Sequence, residues 1–373
     1  MIKNFKLSLQ KITKKIFQTI FIIFYGNIKN SLKPQESNKI KVYKVNKANH
    51  IYNVFTIEDG RLYTDTINDL AVILNNQILD GPSYQLRPIN EDELSPRNNS
   101  TIEKNIVFSK GTPRIKKKIK GSVISLLSGG GANKNYFHWL YDVLPKLSLF
   151  DEIKEKQFID YLLVPDNKLH FQKESLKLLG FNDIQILSSR IYRHIVPEKI
   201  YLTDHTYNIT NNPKVDHERI PAWISEWLKK KFLNKINLIK NKYDKIYIDR
   251  GNPDIPNNIN RRIINEIELK TELSKRDFKF IKLQETSFLD QINIFNNAKV
   301  ILGLHGAGFA NISFCKPNTR IVELRTIGAG KVIENLASNN NLDYNCMALK
   351  SQGLEDKQNG LIRISISDIK KLI

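Results

Sequence analysis

The chain has 373 residues, of which 41% are hydrophobic and 26% charged, as is usual for a globular protein. This length predicts two domains, each large enough for its own core. Two cysteines, Cys315 and Cys346, are too few for a disulfide framework or a cysteine-based zinc site and fit a reducing compartment. The formal net charge of +20 permits a nucleic acid, an anionic membrane or an acidic substrate as partner. Because the lysines are spread along an Ile-, Lys- and Asn-rich chain, a compositional bias explains this charge better than binding to one of these partners does.

The N-terminal segment, residues 1–39, combines basic residues with an apolar stretch at residues 16–25. That stretch is shorter than the ~20 residues that a membrane-spanning helix needs. No small-residue cleavage site follows it, which argues against a secretory signal. Lys11, Lys14 and Lys15 suit an interfacial helix on an anionic membrane, and docking on the body of the protein is the alternative. We therefore expect a cytoplasmic protein, either free or peripheral at the inner face of the membrane.

Residues 40–210 predict an N-terminal α/β domain that begins with short strands. Two turn signals lie in this first part, Glu58-Asp59-Gly60-Arg61 between strands at 51–57 and 62–65, and Asn75-Asn76 between strands at 71–74 and 78–79. Each predicts a β-hairpin. From residue 161 strands and helices alternate, with strands at 161–164 and 184–187, a helix at 168–179 and extended structure at 191–202.

A candidate catalytic pair lies in the middle of this domain. A strand over 123–127 ends in three glycines at 129–131, and a helix is predicted from about Asn135, with Pro145 expected to kink or end it. His138 and Asp142 are four residues apart and therefore share a face of that helix. A histidine and a carboxylate just past a glycine loop suit general-base chemistry. There are two alternatives for His138 and Asp142. They could be part of a metal site, although a third ligand is not obvious, or they could simply pair on a solvated face.

Residues 211–235 predict a linker and an inter-domain helix, which Pro221 opens and in which Trp223 and Trp227 belong to the buried stripe. Residues 236–350 predict a C-terminal domain, and residues 351–373 a C-terminal tail. In this domain strands alternate with helices over short connections, which indicates a parallel, doubly wound sheet. Its strands are predicted at 245–249, 278–283, 300–302, 321–324 and 344–349, with a helix containing Ile263, Ile264 and Ile267 and another that Thr286-Ser287 caps.

A candidate phosphate site lies at the carboxyl ends of two of these strands, where such sheets bind ligands. Arg250 follows the first strand, and the loop His305-Gly306-Ala307-Gly308 follows the strand at 300–302 and precedes a short helix at 309–314. A glycine loop between strand and helix aims backbone N–H groups at an anion. Taken alone, Arg250 could be a surface arginine in a turn, and the glycine loop could be a plain strand-turn-helix. Because both features lie at the carboxyl ends of strands in the same sheet, together they favour a phosphate site.

Three blocks of the sequence together resemble glycosyltransferase family 61. The first runs from Asn135 through His138 and Asp142 to Pro145; the second contains Arg250, Arg261-Arg262 and Asn265-Glu266; the third runs from Glu285 through Gln291 and His305–Gly308 to Asn311, Pro317 and Glu323. The resemblance covers about residues 121–349, and the bacterial capsule branch is the nearest in character. Between Arg250 and Arg261 this chain departs from the family pattern with a Pro/Asn-rich loop.

The resemblance implies an α/β, GT-B-like fold in which two Rossmann-like domains face a cleft, with extra β structure in the N-terminal part. It implies an inverting transfer from a nucleotide-sugar, usually a UDP-sugar, to an oligo- or polysaccharide acceptor in capsular or other surface polysaccharide synthesis. Asp142 is the first choice of base, with His138 orienting the acceptor or the base. The donor-binding residues would be Arg250, His305, Gly306, Ala307, Gly308, Asn311 and Glu323, with Asn135, Arg261, Arg262 and Glu285 as additional candidates.

We expect no cofactor and no metal ion, because an arginine and a helix N-terminus can hold a diphosphate without one. A non-catalytic nucleotide-sugar- or glycan-binding protein of the same fold is the runner-up. A nucleic-acid binder is suggested by the charge alone, and the sequence contains no recognised motif for it.

Overall fold

The computed structural model describes residues 2–64, 69–85, 102–128, 134–153, 159–207, 209–210, 213–236, 242–251, 261–352 and 360–373. Its contacts divide the chain into two units. Unit 1 contains Met1–Leu169 and Asn182–Asp216, and unit 2 contains His170–Phe181 and His217–Ile373. The predicted glycine loop at 129–131 and most of the Pro/Asn-rich loop, residues 252–260, lie outside the described residues.

Unit 1 is built on a large mixed sheet. Its strands are β1 (Ser31–Leu32), β2 (Ile40–Lys47), β3 (His50–Glu58), β4 (Arg61–Tyr63), β5 (Asp69–Leu74), β6 (Gln77–Leu79), β7 (Tyr84–Gln85), β8 (Lys117–Ser125), β9 (Tyr161–Val164), β10 (Gln185–Ser188) and β11 (His194–Thr203). The strand order is β1-β6-β5-β4-β11-β8-β9-β10, with β2 and β7 attached beside it and β3 paired to β11. Strands β11, β8, β9 and β10 run parallel to one another, and the β2–β5 part is antiparallel. The expected α/β class with extra N-terminal β structure is confirmed.

The hairpin expected at Glu58-Asp59-Gly60-Arg61 is wrong. Strands β3 and β4 both pair antiparallel with β11 in one continuous register, Lys199 opposite Glu58 and Ile195 opposite Leu62. The chain therefore bends at Asp59 and Gly60 without reversing. This register places Pro197, which has no N–H to donate, opposite Gly60. The hairpin at Asn75-Asn76 is confirmed, since β5 and β6 pair across it and both asparagines have positive φ.

The helices of unit 1 are α1 (Ile2–Tyr25), α2 (Val107–Lys110), α3 (Tyr136–His138) and α4 (Lys146–Phe150), with a π-helical turn at Trp139–Val143 between the last two. Helix α1 ends at Gly26, whose positive φ closes the helix and whose N–H donates to the carbonyl of Ile22. Within the described part of the chain, no helix combines the length and the apolar composition needed to cross a bilayer.

Unit 2 contains the predicted parallel sheet. Its strands are β12 (Lys245–Ile248), β13 (Arg261–Ile263), β14 (Lys279–Ile281), β15 (Val300–Leu304), β16 (Arg320–Thr326), β17 (Asp343–Leu349) and β18 (Gly360–Ile362). Five of these strands, all parallel, form a sheet in the order β14-β12-β15-β16-β17. Strands β13 and β18 pair with each other.

Helix α6 (Pro213–Glu218) spans the boundary between the two units. The helices of unit 2 are α5 (His170–Leu178), α7 (Ala222–Phe232), α8 (Glu266–Ser274), α9 (Phe288–Asn297), α10 (Val332–Asn339) and α11 (Ile366–Leu372), with a 3₁₀ helix at Ala307–Phe314. Tyr247, Leu302 and Val322 form one buried cluster with residues of α8 and α11. Because side chains alternate along a strand, the neighbouring residues Ile246, Ile301 and Ile321 bury the opposite face.

Several local predictions for this unit are confirmed and others are corrected. Ser287 caps α9, accepting a hydrogen bond from the N–H of Asp290. Pro221 lies one position before the first residue of α7, at its N-cap. The helix expected to contain Ile263, Ile264 and Ile267 begins only at Glu266, because Ile263 is buried in β13 and pairs with β18.

Three segments lie elsewhere than the sequence interpretation placed them. Helix α5 was expected in the N-terminal domain, but its contacts are with unit 2, where Glu174 accepts hydrogen bonds from the N–H groups of Phe288 and Leu289 at the start of α9. Helix α7, expected between domains, packs against 307–314 and α10 of its own unit. The segment expected as a tail contains β18 and α11, which belong to the core of unit 2.

Candidate active site

The candidate phosphate site lies at the topological switch point of unit 2. Strand β12 is the first of the parallel sheet in the chain, and it lies between the second, β14, and the third, β15. The connections that leave β12 and β15 therefore run to opposite sides and open a crevice at their carboxyl ends. Arg250 follows β12, and the His305–Gly308 loop follows β15.

Two arginines meet at this crevice. The guanidinium groups of Arg250 and Arg261 both donate to the backbone carbonyl of His305, at 3.4 and 2.8 Å. Burial and the adjacent charge of Arg250 lower the pKa of Arg261 to about 10, against an opposing effect of Glu323. Both groups stay protonated at neutral pH, so two like charges are held together beside Gly306. Arg262, the third predicted arginine, is exposed on β13 and lines a small cavity of unit 2 together with Arg250 and Arg261.

The glycine loop presents N–H groups beside these arginines. The N–H of Phe309 donates to the carbonyl of Gly306 and thereby closes the first 3₁₀ turn. Among the described residues, no acceptor is found for the N–H groups of Gly306, Ala307 and Gly308, which are all partly exposed. Unpartnered N–H groups at a helix start are the donors that anions use. Three such groups are thus available.

His305 is oriented by a buried carboxylate. Glu323 on β16 is fully buried and accepts a hydrogen bond from Nδ1 of His305. The hydroxyl of Tyr344 on β17 donates to the other carboxylate oxygen at 2.5 Å, and the guanidinium of Arg325 lies 4.0 Å away. Burial and the charge of Glu323 raise the pKa of Tyr344, so its hydroxyl remains a donor. The ring of His305 is therefore fixed with Nδ1 as the protonated nitrogen.

Asn311 and Glu285 have different surroundings from these groups. Asn311 is fully buried and donates to Oε1 of Gln291 at 2.9 Å. Gln291 in turn donates to the carbonyls of Leu283 and Thr286, so this pair ties the 3₁₀ helix to the loop before α9. Glu285 is an exposed side chain that pairs with Lys282 at 3.4 Å.

The candidate catalytic pair of unit 1 is in contact. Nδ1 of His138 lies 2.9 Å from Oδ2 of Asp142, as the four-residue spacing predicts. Asp142 is only 1% exposed, which contradicts the alternative of a pair on a solvated face. The side chain of His138 is 11% exposed to solvent. Of the two groups, the imidazole is therefore the more accessible.

The backbone around the pair is unusual. Oδ1 of Asn135 accepts from the N–H groups of Phe137 and His138, at 2.9 and 3.4 Å, and caps the helix. After His138 the helix widens into a π-turn, closed by a bond from the N–H of Leu144 to the carbonyl of Trp139. As expected, Pro145 interrupts the helix, and α4 begins after it. Single π-turns of this kind occur frequently at functional sites.

Residues after β11 complete the surroundings of Asp142. The hydroxyl of Tyr207 donates to Oδ1 of Asp142 at 2.7 Å, and Nε2 of His205 lies 3.8 Å from Oδ2. Thr206 between them donates to the carbonyl of Tyr141 at 2.6 Å. Burial would raise the pKa of Asp142, but the interactions of this carboxylate with His138 and, more weakly, with His205 outweigh that effect and lower this pKa well below its usual range. Asp142 is therefore a stable anion and a weak base.

A buried lysine lies near this carboxylate. Lys146 is 1% exposed and donates to the carbonyl of Leu127 at 2.5 Å. Burial lowers its pKa to about 7, although Asp142 and Asp204 favour its charged form. Burial also lowers the pKa of His205, so that ring is neutral at pH 7.

Four of these groups, His205, Tyr207, Lys146 and Tyr344, were missed by the sequence interpretation. One signal could have found the first two: Asp204-His205-Thr206-Tyr207 directly follows the extended segment predicted at 191–202, and the end of a strand in an α/β domain is where ligand-binding side chains are expected. Lys146 and Tyr344 gave no such signal, because one follows a proline in an apolar helix and the other lies in an edge strand. Across the described ranges, no group of three or more His, Cys, Asp or Glu side chains has the arrangement of a metal site.

Comparison with known proteins identifies one family. The family model described as Glycosyltransferase 61 matches residues 136–322, half of the chain, and this span contains the His138–Asp142 pair, both arginines and the glycine loop. A comparison with curated proteins gives no match.

Lys146 predicts a specific dependence of stability on pH. Its pKa is about 7 in the folded state and 10.5 as the reference value, so between these pH values the unfolded chain binds the extra proton. The free energy of unfolding should therefore rise with pH in this range, and this group adds up to ~1.4 kcal/mol per pH unit. Below about pH 7 Lys146 is protonated in both states, so it adds no pH dependence there. We expect Lys146→Met to flatten the difference between pH 7 and 9, measured by urea unfolding and circular dichroism. An equal pH dependence in parent and variant would show that Lys146 titrates normally.

Proposed function

Because the chain belongs to glycosyltransferase family 61 and is therefore a glycosyltransferase, we propose that it transfers a sugar from a UDP-sugar to an oligo- or polysaccharide acceptor with inversion at the anomeric carbon. The observation that supports this most is the pair of guanidinium groups on the His305 carbonyl, beside three N–H groups without acceptors among the described residues. A diphosphate carries the negative charge and the oxygen acceptors that guanidinium and N–H groups bind. The uridine and the role in capsular or other surface polysaccharide synthesis rest on the family resemblance.

The donor side acts on the leaving group. As the glycosidic C–O bond breaks, negative charge grows on the diphosphate oxygen that departs. Arg250, Arg261 and the N–H groups of 306–308 stabilise that charge more than the charge of the ground state, which lowers the barrier. Glu323 holds the ring of His305 through Nδ1, so Nε2 is an acceptor and would contact a hydroxyl of the donor sugar. Asn311 supports the loop from behind, and Arg262 adds positive charge at the cavity rim.

On the acceptor side, the geometry favours His138 as the base and Asp142 as its orienting partner. The reverse assignment was the first expectation from the sequence. Asp142 is buried, both of its oxygens accept hydrogen bonds and its pKa is lowered, so it would be a poor proton acceptor. A carboxylate that accepts from Nδ1 fixes the ring and stabilises the imidazolium that forms on proton transfer. Asn135 positions the same ring through its cap on the helix.

One displacement completes the reaction. The acceptor hydroxyl oxygen attacks the anomeric carbon from the face opposite the diphosphate, and the bond from that carbon to the diphosphate oxygen breaks. The hydroxyl proton passes to Nε2 of His138, and UDP leaves with the bonding electron pair. Neither a cofactor nor a metal ion is needed in this scheme, since the two guanidinium groups supply positive charge at the leaving group.

The same proposal assigns a role to each unit and a compartment to the enzyme. Unit 1 would be the acceptor half and unit 2 the donor half of a GT-B enzyme, acting in the cytoplasm. The free thiols of Cys315 and Cys346 agree with a reducing compartment.

A donor screen tests the proposed activity. The purified protein is incubated with a panel of UDP-sugars and oligosaccharide acceptors in EDTA, and UDP release and thermal shift are measured. We expect one UDP-sugar to raise Tm and to release UDP only when acceptor is present. Turnover that requires Mn²⁺ would contradict the metal-free scheme. Turnover only with a donor that carries another nucleotide would contradict the assignment of a UDP-sugar.

Removing either guanidinium should slow the reaction strongly. We expect Arg250→Ala and Arg261→Ala each to lose about 2–4 kcal/mol of transition-state stabilisation, or roughly 30- to 1000-fold in kcat/KM. Arg320→Ala in the same unit removes an exposed arginine paired with Asp343 and should leave kcat/KM unchanged. Full activity of folded Arg250→Ala and Arg261→Ala would remove both residues from the donor site.

The two candidate bases are separated by matched substitutions. If His138 is the base, His138→Gln should lower kcat by about 10²–10⁴-fold with little change in donor KM. His170→Gln makes the same change at an exposed position and serves as the control. Tyr207→Phe, which leaves the His138–Asp142 bond intact, should cost far less. A His138→Gln enzyme that keeps most of its kcat while Asp142→Asn is inactive would restore Asp142 as the base.

A further inference from the structure

Helix α1 exposes a continuous apolar stripe. Seven large apolar side chains along it are 40–76% exposed: Leu9, Ile12, Ile16, Phe17, Ile20, Ile23 and Phe24. Five of them follow the spacing of three and four residues that keeps side chains on one helix face, and the two phenylalanines flank that line. A patch of this extent is unusual on the surface of a soluble protein and marks a surface that binds something.

The opposite face of α1 attaches the helix to unit 1. Ile22 packs so closely on Gly111 that a Cβ at that glycine would lie 2.9 Å from its Cγ1. The hydroxyl of Tyr25 accepts from the N–H of Lys116 at 3.3 Å, and the Tyr25 ring packs edge-on against His194 at 5.5 Å. These contacts lie at the C-terminal end of the helix, on the side opposite the stripe. The apolar side chains therefore point away from the unit that anchors the helix.

The charge of the helix indicates what covers the stripe. Residues 2–25 contain five lysines and no aspartate or glutamate. Lys11, Lys14 and Lys15 lie on the face opposite the stripe, at the positions that Ile22 and Tyr25 occupy further along. Pairs of helices that associate through an apolar seam are commonly supported by opposite charges beside it, which α1 lacks. An anionic lipid surface complements both the stripe and the lysines.

We propose that α1 binds the surface of an anionic lipid bilayer, with Leu9 to Phe24 inserted at the level of the headgroups and acyl chains. The helix lies in the plane of the interface, because it is too polar to cross it. This proposal goes beyond the transfer reaction and does not depend on it. It would bring the enzyme to acceptors that are held at a membrane.

Co-sedimentation of the full chain with vesicles tests this proposal. Vesicles of phosphatidylcholine are compared with vesicles that also contain phosphatidylglycerol. We expect binding to the anionic vesicles, weakened at least about tenfold by Ile16→Glu/Ile20→Glu, which places charges in the stripe. Gln18→Glu adds a charge on the opposite face of the same helix and should weaken binding much less than Ile20→Glu alone. UDP release on a soluble acceptor should be the same for all variants. Vesicle binding and catalysis are therefore tested independently of each other.

Two outcomes would overturn the proposal. One is equal sedimentation of parent and Ile16→Glu/Ile20→Glu with anionic vesicles, or no sedimentation at all. The other is a parent dimer in solution, detected by light scattering, that the same double variant converts to monomer. In that case the stripe is an interface between two copies of the chain.

A separate cavity in unit 1 carries a second inference. It measures about 510 Å³ and is lined by Arg61, Lys116, Lys118, Asp59 and the Asn75-Asn76 turn. Arg61 is only 7% exposed and donates to Thr112 at 2.9 Å and to Asn76 at 2.8 Å, and it also contacts His194. No carboxylate among the described residues pairs with it. The single acidic residue of the lining, Asp59, is already paired with Lys39 at 2.6 Å.

Arg61 and Lys116 are close enough for their charges to interact, and Lys118 lines the same cavity. Burial lowers the pKa of Arg61 to about 10, with a smaller opposing effect of Tyr25. Burial and the charge of Arg61 together lower the pKa of Lys116, and burial lowers that of His194 to about 4, so this ring is neutral. Clusters of like charge around a space of this size are stabilised when an anion enters it.

We infer that this cavity binds a phosphate group, through the guanidinium of Arg61 and the ammonium groups of Lys116 and Lys118. A phosphate can accept from all three side chains at once and carries enough charge to offset them. Its source is either a free phosphorylated compound or the headgroup of a lipid at the surface that α1 binds.

Calorimetry with inorganic pyrophosphate tests this site, and the Arg250→Ala/Arg261→Ala chain is used so that the proposed donor site does not contribute. We expect one binding event, weakened at least about tenfold by Lys116→Gln/Lys118→Gln. Lys41→Gln/Lys44→Gln, which removes two exposed lysines from β2, should leave it unchanged. If the source is a lipid, Lys116→Gln/Lys118→Gln will also weaken binding to anionic vesicles; if it is a free compound, vesicle binding will not change. Pyrophosphate binding that is absent, or equal in all variants, would overturn the inference.

Discussion

The arrangement on which the proposed chemistry depends is the convergence of two guanidinium groups on one backbone carbonyl. Arg250 and Arg261 are both partly buried, and each lies within hydrogen-bond distance of the His305 oxygen. Repulsion between such groups is costly where water is partly excluded. The carbonyl dipole of His305 and the charges of Glu266 and Glu323 offset part of this cost, and the phosphates of the proposed donor would offset more of it. Because the groups are held in place before the reaction, little reorganisation is needed when charge develops on the leaving phosphate.

The order of the parallel sheet makes this convergence possible. Residues that follow β12 and β15 are more than fifty positions apart in the chain, but these two strands are neighbours. A crevice opens between them because the connections that leave them run to opposite sides of the sheet. Strand β13, paired with β18, then brings Arg261 to the same carbonyl. In this fold the C-terminal segment, through β18 and α11, is thus part of the support of the donor site.

In unit 1 a different constraint operates, namely the burial of a carboxylate. Asp142 is charged inside the unit and is compensated by hydrogen bonds from Tyr207 and His138, with His205 and Lys146 nearby. This compensation stabilises the anion and thereby reduces its basicity. The same interactions fix the ring of His138, the more accessible member of the pair. A carboxylate that looks like a base in the sequence can therefore serve as the partner that orients one.

Local sequence determined the features whose causes are local. Helical spacing put His138 next to Asp142, paired asparagines made the turn between β5 and β6, Ser287 began α9, and alternating apolar runs marked the strands of the parallel sheet. Tertiary structure decided what depends on distant partners. Strands β3 and β4 continue along β11, more than 130 residues away, where a local turn signal predicted a hairpin. Helix α5 packs in unit 2, and Tyr207 and Tyr344 reach their carboxylates across long stretches of chain. Such contacts depend on which surfaces meet when the chain is compact, and no short window of sequence contains that information.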